Sequence, residues 1–576
     1  MNSDKKATKP YNQKSLRLWP GVTALILQWL IRFVIPIVIP GDTSVMIGIF
    51  GGLVGGLFIL VWWAFFSRAL LFDRLSAILL MVIALFITSQ LIHESIATGG
   101  QGMMFPIVSV PILCLAFVIW AIASQNLSIS LRRLWMFVTI FIASGSWILL
   151  RSDGITGDFH PDLKWRWTKT HEEKLMIRTD DLITHFLDST EINTETKWPG
   201  FRGPNRDGIV HGVRIETDWK THPPVELWRK AIGPGCSSFA VKGPIFYTQE
   251  QRGEDEIVSC YNLKNGELIW KHNDKARFWD SHAGAGPRST PTIQDSLLYT
   301  LGATGILNVL KIDDGSVVWS RNAATNINDT IPGWGYASSP LVVDSVVIVA
   351  ISGTIVAYDI ATGEHLWTGP RGGENYSSPH LVTIDGIKQV LMMSQFAATS
   401  FAPANGKILW EHPWEGGAII QPAMTENGDL LISEGYKKGI HRITVSKVNE
   451  EWNIKEHWMT TKIRPDFNDL VVHKGYIYGF EGLSLACLDL KDGSRKWKSG
   501  RYGGQILLLA DQNLLLVLTE KGELILVEAV PDQFKEFAKI PAIKGKTWNH
   551  HVLVDDILLV RNTQEMVAFQ LSMANW

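Results

Sequence analysis

Hydrophobic positions along the chain follow two regimes that meet near residue 150. Before it, apolar residues run almost unbroken in five stretches, about 20–40, 44–66, 75–92, 103–123 and 134–150, each close to the length a bilayer core requires. The fifth, LWMFVTIFIASGSWILL, is the shortest. This pattern predicts a region of about five transmembrane helices over 20–150. The first stretch is too long for a secretory signal, has no small-residue cleavage site and leads straight into further apolar segments, so it is expected to stay in the protein.

Lys and Arg in the short connections orient these helices. The tail at 1–19 carries Lys5, Lys6, Lys9, Lys14 and Arg17, the second connection carries Arg68 and Arg74, and the fourth carries Arg132 and Arg133. GDTS at 41–44 and HESIATGGQG at 93–102 carry neither Lys nor Arg. The tail is therefore expected in the cytoplasm and residue 151 outside, which for the inner membrane of a diderm bacterium means the periplasm. Arg32 lies alone within the first span, where a charge costs about 2.5–3.5 kcal/mol on insertion scales, so it is expected to snorkel or face the bundle interior.

A juxtamembrane linker at 151–197 contains the Trp-rich KWRW at 164–167. Thr170 and Glu173 then stand at capping-box spacing ahead of Leu175, Met176, Leu182, Ile183, Phe186 and Leu187, which predicts one amphipathic helix of about four turns. From residue 198 onward the period changes to two. Alternating Val, Ile, Leu and Tyr runs are broken by Asp-Gly, Asn-Gly and Thr-Gly turns.

These runs repeat. YNLKNGELIW (261–270), LKIDDGSVVW (310–319), YDIATGEHLW (358–367), FAPANGKILW (401–410) and LDLKDGSRKW (488–497) each read as a strand, a Gly turn and a second strand ending in Trp. With the degenerate copies, markers fall at Trp228, Trp270, Trp319, Trp367, Trp410, Trp458, Trp497 and near Phe537, an average spacing of about 44 residues, which suits a propeller blade. Eight markers predict an all-β, eight-bladed β-propeller over 198–576, with seven or nine blades if a degenerate marker is misread. VELWRKAIG (225–233) reads as a lone outer strand, and 550–572 as three inner ones, so chain start and chain end are expected to share a blade and close the ring. The Trp markers themselves are expected in the core, each packed against a neighbouring blade.

Net charge is -2 and the sequence pI is about 6.8, which leaves no basic field for nucleic acid. Cys114, Cys236, Cys260 and Cys487 are scattered without a CxxC pair or a His/Cys cluster, so no disulfide framework, zinc site or other metal site is expected. His550 and His551 are adjacent on a strand and face opposite sides, which disfavours joint ligation.

The TG-x-x-x-W blade motifs, with WPGFRGPNRDG (198–208) opening the domain, resemble the pyrroloquinoline quinone (PQQ)-like propeller repeat over about 375 residues. EQRGEDEIVSCY (250–261), GPRSTPT (286–292), LGATGILN (301–308), WGYASSPLVV (334–343) and YSSPHL (376–381) resemble its membrane-anchored bacterial branch, usually named by analogy to BamB. The resemblance implies one of two functions. Quinoprotein dehydrogenases hold PQQ with Ca²⁺ over the propeller axis, and their membrane-bound glucose dehydrogenases also carry five N-terminal spans; such an enzyme would pass electrons to membrane quinone. BamB-like propellers instead serve recognition.

A quinone site needs oxygen ligands for the cation, an aromatic floor, a carboxylate base and cations near the quinone oxygens. Glu250, Arg252, His282, Arg288 and Trp334, in loops of the first three blades, are the candidate cofactor- or ligand-binding residues. Glu250, Arg252 and Arg288 equally suit a structural ion-pair network. The adjacent cysteine pair of many quinoprotein alcohol dehydrogenases is absent, no Asp/Asn pair for calcium stands out, and the inter-blade insertions are too short for a deep funnel. Neither PQQ nor calcium is therefore expected, and no catalytic residue is assigned. The small-residue openings SSF (237–239), STPT (289–292), SSPL (338–341) and SSPH (377–380) are expected to pack where strands crowd the axis. The expected function is a membrane-anchored recognition or scaffold module for an envelope protein or a small ligand.

Overall fold

The computed structural model describes residues 16–39, 42–155, 161–177, 195–327, 330–417, 419–433, 435 and 438–575. The chain divides into two compact units, Met1–Thr168 and Lys169–Trp576.

In the first unit the apolar stretches are helical. Helix α1 (Trp19–Trp29) continues through a π-helical turn, Leu30–Val34, into α2 (Ile35–Val38), and α3 (Asp42–Val61) ends in a second π-turn, Trp62–Phe66. Helices α4 (Leu71–Leu91), the short α5 (Glu94–Ala97), α6 (Met104–Ala123) and α7 (Ile129–Gly145) follow. Four helices, Trp19–Val38, Thr43–Phe66, Leu71–Leu91 and Met104–Ala123, are long and apolar enough to cross a membrane. The fifth expected span differs: α7 has 17 residues and carries Arg132 and Arg133 near its start. With the 3₁₀ turn Ser146–Leu149 its apolar part, from Leu134, extends about 26 Å.

Packing within this unit uses glycine contacts and buried aromatics. Gln28 lies against Gly55 of α3 and donates to Gly52 O at 2.7 Å, and the Arg32 side chain is buried over Gly52. Trp63 stands edge-on to Phe117 and Trp120, with centroids 4.9 and 5.6 Å away. Basic residues gather at one end, where Arg133 pairs with the buried Asp73 at 2.6 Å, Arg74 donates to Ala64 O, and Arg17 bonds Ser67 O through its backbone.

In the second unit, α8 (His171–Ile177) begins with the expected capping box: Glu173 N donates to Thr170 Oγ1 at 3.0 Å, and Thr170 N donates to Glu173 Oε2 at 2.7 Å. Glu172 accepts from Gly253 N and pairs with Arg277, fixing α8 to the first blade. The rest of the expected helix, from Leu182 to Leu187, and the tail with Lys5, Lys6, Lys9 and Lys14, lie outside the described residues.

Eight blades follow, each with antiparallel strands a to d from the axis outward, and blade 7 gains a fifth strand, Ile209–Val210, parallel to its strand a. Blade 1 comprises Ala240–Lys242, Ile245–Arg252, Asp255–Asn262 and Leu268–Lys275. Blades 2 to 7 repeat that order from Thr292, Leu341, His380, Ala423, Val471 and Gln505. Blade 8 joins Val552–Val554, Ile557–Arg561 and Glu565–Gln570 to Val225–Ala231, so the first strand of the ring completes the last blade, as expected.

Each marker Trp sits on strand d, opposite a bulge in strand c, and reaches into the next blade. Trp319, for example, covers Gly363 in the turn of blade 3, and its indole N–H donates to Ile360 O at 3.0 Å. Gly363 has φ +65°, and a Cβ there would fall 2.6 Å from the indole, so the turn needs glycine twice over. Trp228, Trp270, Trp367, Trp458 and Trp497 make the same carbonyl bond, at 2.7–3.1 Å. Two seams lack this lock. Between blades 7 and 8 the marker position is Ala538, which pairs with Leu526 before the bulge, while the expected Phe537 is 37 % exposed. Between blades 4 and 5, Trp410 donates to Gln389 of its own blade at 2.7 Å, because blade 5 replaces the Gly turn with a long hairpin, Ile440–Val448 and Glu451–Thr460.

Candidate functional site

The inner strands begin with small polar residues for a reason beyond crowding. Ser238 N donates to Thr290 Oγ1, Thr290 N to Ser339 Oγ, and Ser339 N to Ser378 Oγ, all at 2.9–3.0 Å. Gln421 continues the chain, its amide oriented to bond Ser378 on one side while its own N–H donates to Asp469 Oδ1 at 2.7 Å. Ser238 Oγ closes toward blade 8 on His550 O at 2.7 Å. A hydroxyl from the next blade thus satisfies three of these inner N–H groups, and a carboxylate satisfies the fourth.

One side of this belt is filled by the chain itself. Lys197 pairs with Asp555 and Gly212 N bonds Asp511, both in turns between strands a and b, so the segment between them dips into the axis from that face and returns to it. Arg206, 7 % exposed, donates to Ser339 O and Pro379 O at 3.3 and 3.0 Å and to Pro340 O. Arg202 bonds Leu470 O and lies 3.5 Å from Asp469. Both arginines adopt positive φ, +59° and +56°, conformations held only where surroundings over-determine them. Burial without a carboxylate partner pushes the Arg206 guanidinium down to about 10. Burial, then Arg206 and Arg202, push His380 down to about 3.

The opposite face carries the connections from strand d to the next strand a, and the sequence candidates divide there into two groups. Glu250 and Arg252 lie in blade 1: Glu250 is fully buried and accepts from Arg252, Ser259 and Tyr261 at 3.0–3.1 Å and from Gly233 N. Against the burial that would raise it, Arg252 and the Gly233 N–H hold its carboxyl below the usual range. His282, Arg288 and Trp334 come together around a residue the sequence reading missed, Asp280. Arg288 pairs with Asp280 at 2.5 Å, donates to Gly284 O, Ala285 O and Trp334 O, and lies over Phe278. Asp280 also accepts from His282 N and Ala283 N.

Aromatic rings extend this group around the axis. The His282 ring stands edge-on to Trp334 at 6.2 Å, and Trp334 lies 4.9 Å from Tyr376, whose hydroxyl donates to Glu374 at 2.6 Å. From the 7-to-8 connection, Lys546 donates to His282 O and lies 3.9 Å from the Trp548 ring, and Trp548 donates to Glu520 and packs on Phe467. Burial lowers both the Lys546 ammonium and the His282 imidazole. Aromatic residues scattered among inter-blade connections carry no periodic signal, so only Trp334 of this arc stood out in the sequence.

A calcium-bound quinone would need converging oxygen ligands and cations directed at the quinone. Among the described residues, no three carboxylate, thiolate or imidazole groups converge on this face, and Asp280 and Arg288 are engaged with each other. These residues do not fit that group. A cleft between blades 3 and 4, lined by Arg371, Phe396 and Glu411, measures about 80 Å³, room for a few waters.

Eight four-stranded blades with strand-exchange closure and inter-blade Trp contacts define a PQQ-like β-propeller preceded by apolar helices. The family described as outer membrane protein assembly factor BamB matches residues 254–499 and 404–564, and the chain belongs to that family. Among solved structures, BamB from Moraxella catarrhalis is similar at 14 % identity and TM-score 0.44, covering 61 % of this chain and 99 % of its own. Quinohemoprotein alcohol dehydrogenase from Comamonas testosteroni is similar at 12 % identity and TM-score 0.49, covering 70 % and 82 %. No curated protein matches the sequence.

Proposed function

We propose that the chain is a membrane-anchored recognition or scaffold module whose propeller stands on the non-cytoplasmic side, in the periplasm of a diderm bacterium, and binds an envelope protein through the face of the d-to-a connections. The observation that carries this reading is the contrast between the two ends of the axis. One end is stoppered by Arg202 and Arg206, while the other presents half-exposed aromatic rings, Trp334 among them, over ion pairs that are already satisfied. Aromatic rings above a rigid base suit a protein partner, because they supply contact area at low entropic cost. The family's description as an assembly factor agrees with a protein partner. Orientation rests on the basic end of the helical unit and on α7 with its 3₁₀ turn serving as a fifth crossing.

The test uses the full chain in detergent. Calorimetric titration with PQQ, with and without Ca²⁺, is expected to show no stoichiometric binding, and tight calcium-dependent binding would overturn the reading in favour of a quinoprotein dehydrogenase. In intact envelopes, a photocrosslinker at Tyr376 is expected to give a discrete protein adduct that Trp334→Ala weakens. Equal adducts from Lys242, on the opposite face, would count against a specific docking face.

A further inference from the structure

The seam between blades 4 and 5 lacks the tryptophan lock, and a different set of side chains bridges it. His412 projects from strand d of blade 4, Ile408–Pro413, while His441 and Glu456 project from the long hairpin of blade 5. His441 Nδ1 lies 3.1 Å from Glu456 Oε2, His412 Nε2 lies 3.7 Å from the same oxygen, and one ligand atom from each residue falls within 4.8 Å of the others. The imidazole rings are 5.9 Å apart and cross at 66°, so they do not stack.

Bonds of 2.0–2.1 Å around a tetrahedral zinc ion set neighbouring ligand atoms about 3.3 Å apart. The two measured separations bracket that value, so the side chains need only small rotations to enclose an ion. Both histidine side chains are mostly buried, at 19 % and 13 % exposure, whereas that of Glu456 is 42 % exposed, which leaves the fourth position open to water. Trp414 stands edge-on to His412 with ring centroids 6.3 Å apart and forms an apolar wall on one side.

We propose that His412, His441 and Glu456 form an inter-blade site for a divalent late transition metal, Zn²⁺ in the first instance. Two imidazoles and a carboxylate are borderline ligands that favour zinc over calcium or magnesium, which prefer all-oxygen sets. The site stands apart from the axial face and owes nothing to its chemistry. Its role is structural: one ion joins a strand of blade 4 to two strands of blade 5 where the indole contact is missing. Because metal must displace protons from the imidazoles, occupancy falls as the medium is acidified.

The full chain in detergent, stripped with chelator and re-equilibrated with Zn²⁺, is expected to retain one metal per chain by mass spectrometric metal analysis after gel filtration. Co²⁺ in its place is expected to give the visible absorption of a tetrahedral site. His412→Asn, His441→Asn and Glu456→Gln should each weaken uptake at least tenfold. His457→Gln, on the other face of the hairpin where His457 bonds Thr444, should leave it unchanged. Zn²⁺ should also raise the unfolding temperature of the parent and of His457→Gln but not of the other three. No stoichiometric Zn²⁺ in the folded parent would overturn the proposal and leave an ordinary His–Glu ion pair. Undiminished uptake in the three variants would overturn it as well.

Discussion

At the scale of single residues, the axis is held by buried cations whose acceptors are mainly backbone carbonyls. Arg206→Ala leaves the buried carbonyls of Ser339, Pro340 and Pro379 without their donor, and it is expected to cost about 1–3 kcal/mol. Denaturant unfolding followed by tryptophan fluorescence measures the loss. Three histidines share this interior, with His380 pushed down to about 3, His551 to about 4 and His550 well below its ordinary value, each chiefly by burial. A histidine whose folded value lies below 6.5 leaves the unfolded state binding the extra proton, so stability falls as pH drops below about 6.5. Glu256, raised by burial to about 7, opposes this between about 4.5 and 7. His380→Gln should therefore shrink the stability difference between pH 7 and pH 5 by about 2 kcal/mol, as read by unfolding at both pH values. The sequence displayed these residues without their environment: the string RGPNR marks a turn, and only closure of the ring around it turns two surface-like arginines into buried ones.

At the scale of elements, the repeat was legible because one physical device recurs. A glycine at positive φ lets an indole lie flat on the turn, and the two residues appear at near-fixed spacing in the sequence. Gly363→Ala meets both the backbone penalty and the Trp319 ring, whereas Gly428→Ala, at φ +83° with open space around it, meets the backbone penalty alone. The second should cost about 1–2 kcal/mol and the first clearly more, in parallel unfolding curves. Elements that depart from the device were harder to place. The marker near Phe537 is Ala538, because the bulge in strand c shifts the pairing by one residue, and hydropathy alone selects the aromatic neighbour. His412, His441 and Glu456 lie on different strands and different blades, so no spacing rule could connect them. The fifth apolar stretch proved the least helix-like end of its region, finishing in a 3₁₀ turn and a strand, Leu150–Ile155.

At the scale of the molecule, the missing locks divide the ring into two arcs. Trp228, Trp270, Trp319 and Trp367 tie blades 8, 1, 2, 3 and 4 into one run, and Trp458 and Trp497 tie blades 5, 6 and 7 into another. Native-state hydrogen exchange is expected to show blades 5 to 7 opening as a unit at lower free energy than the five-blade arc, and uniform protection around the ring would contradict that division. Orientation is tested at the same scale. With Cys236→Ser removing the one partly exposed thiol, Thr98→Cys should react with an impermeant maleimide in cells whose outer membrane has been made permeable, and Gln125→Cys only after lysis.

Strand-exchange closure also sets a timetable. Val225–Ala231 leaves the ribosome about 340 residues ahead of Glu565–Gln570, its only partner in the ladder of blade 8. At about 5–20 residues per second, that strand waits roughly 17–70 s with its edge unsatisfied. The plugging segment at 198–211 is made earlier still and must keep its place while eight blades assemble around it. The earliest part of the propeller to be synthesised is thus the last to be secured. Its newborn edge is where an unfinished chain is most open to a chaperone, or to pairing with a second chain of the same kind.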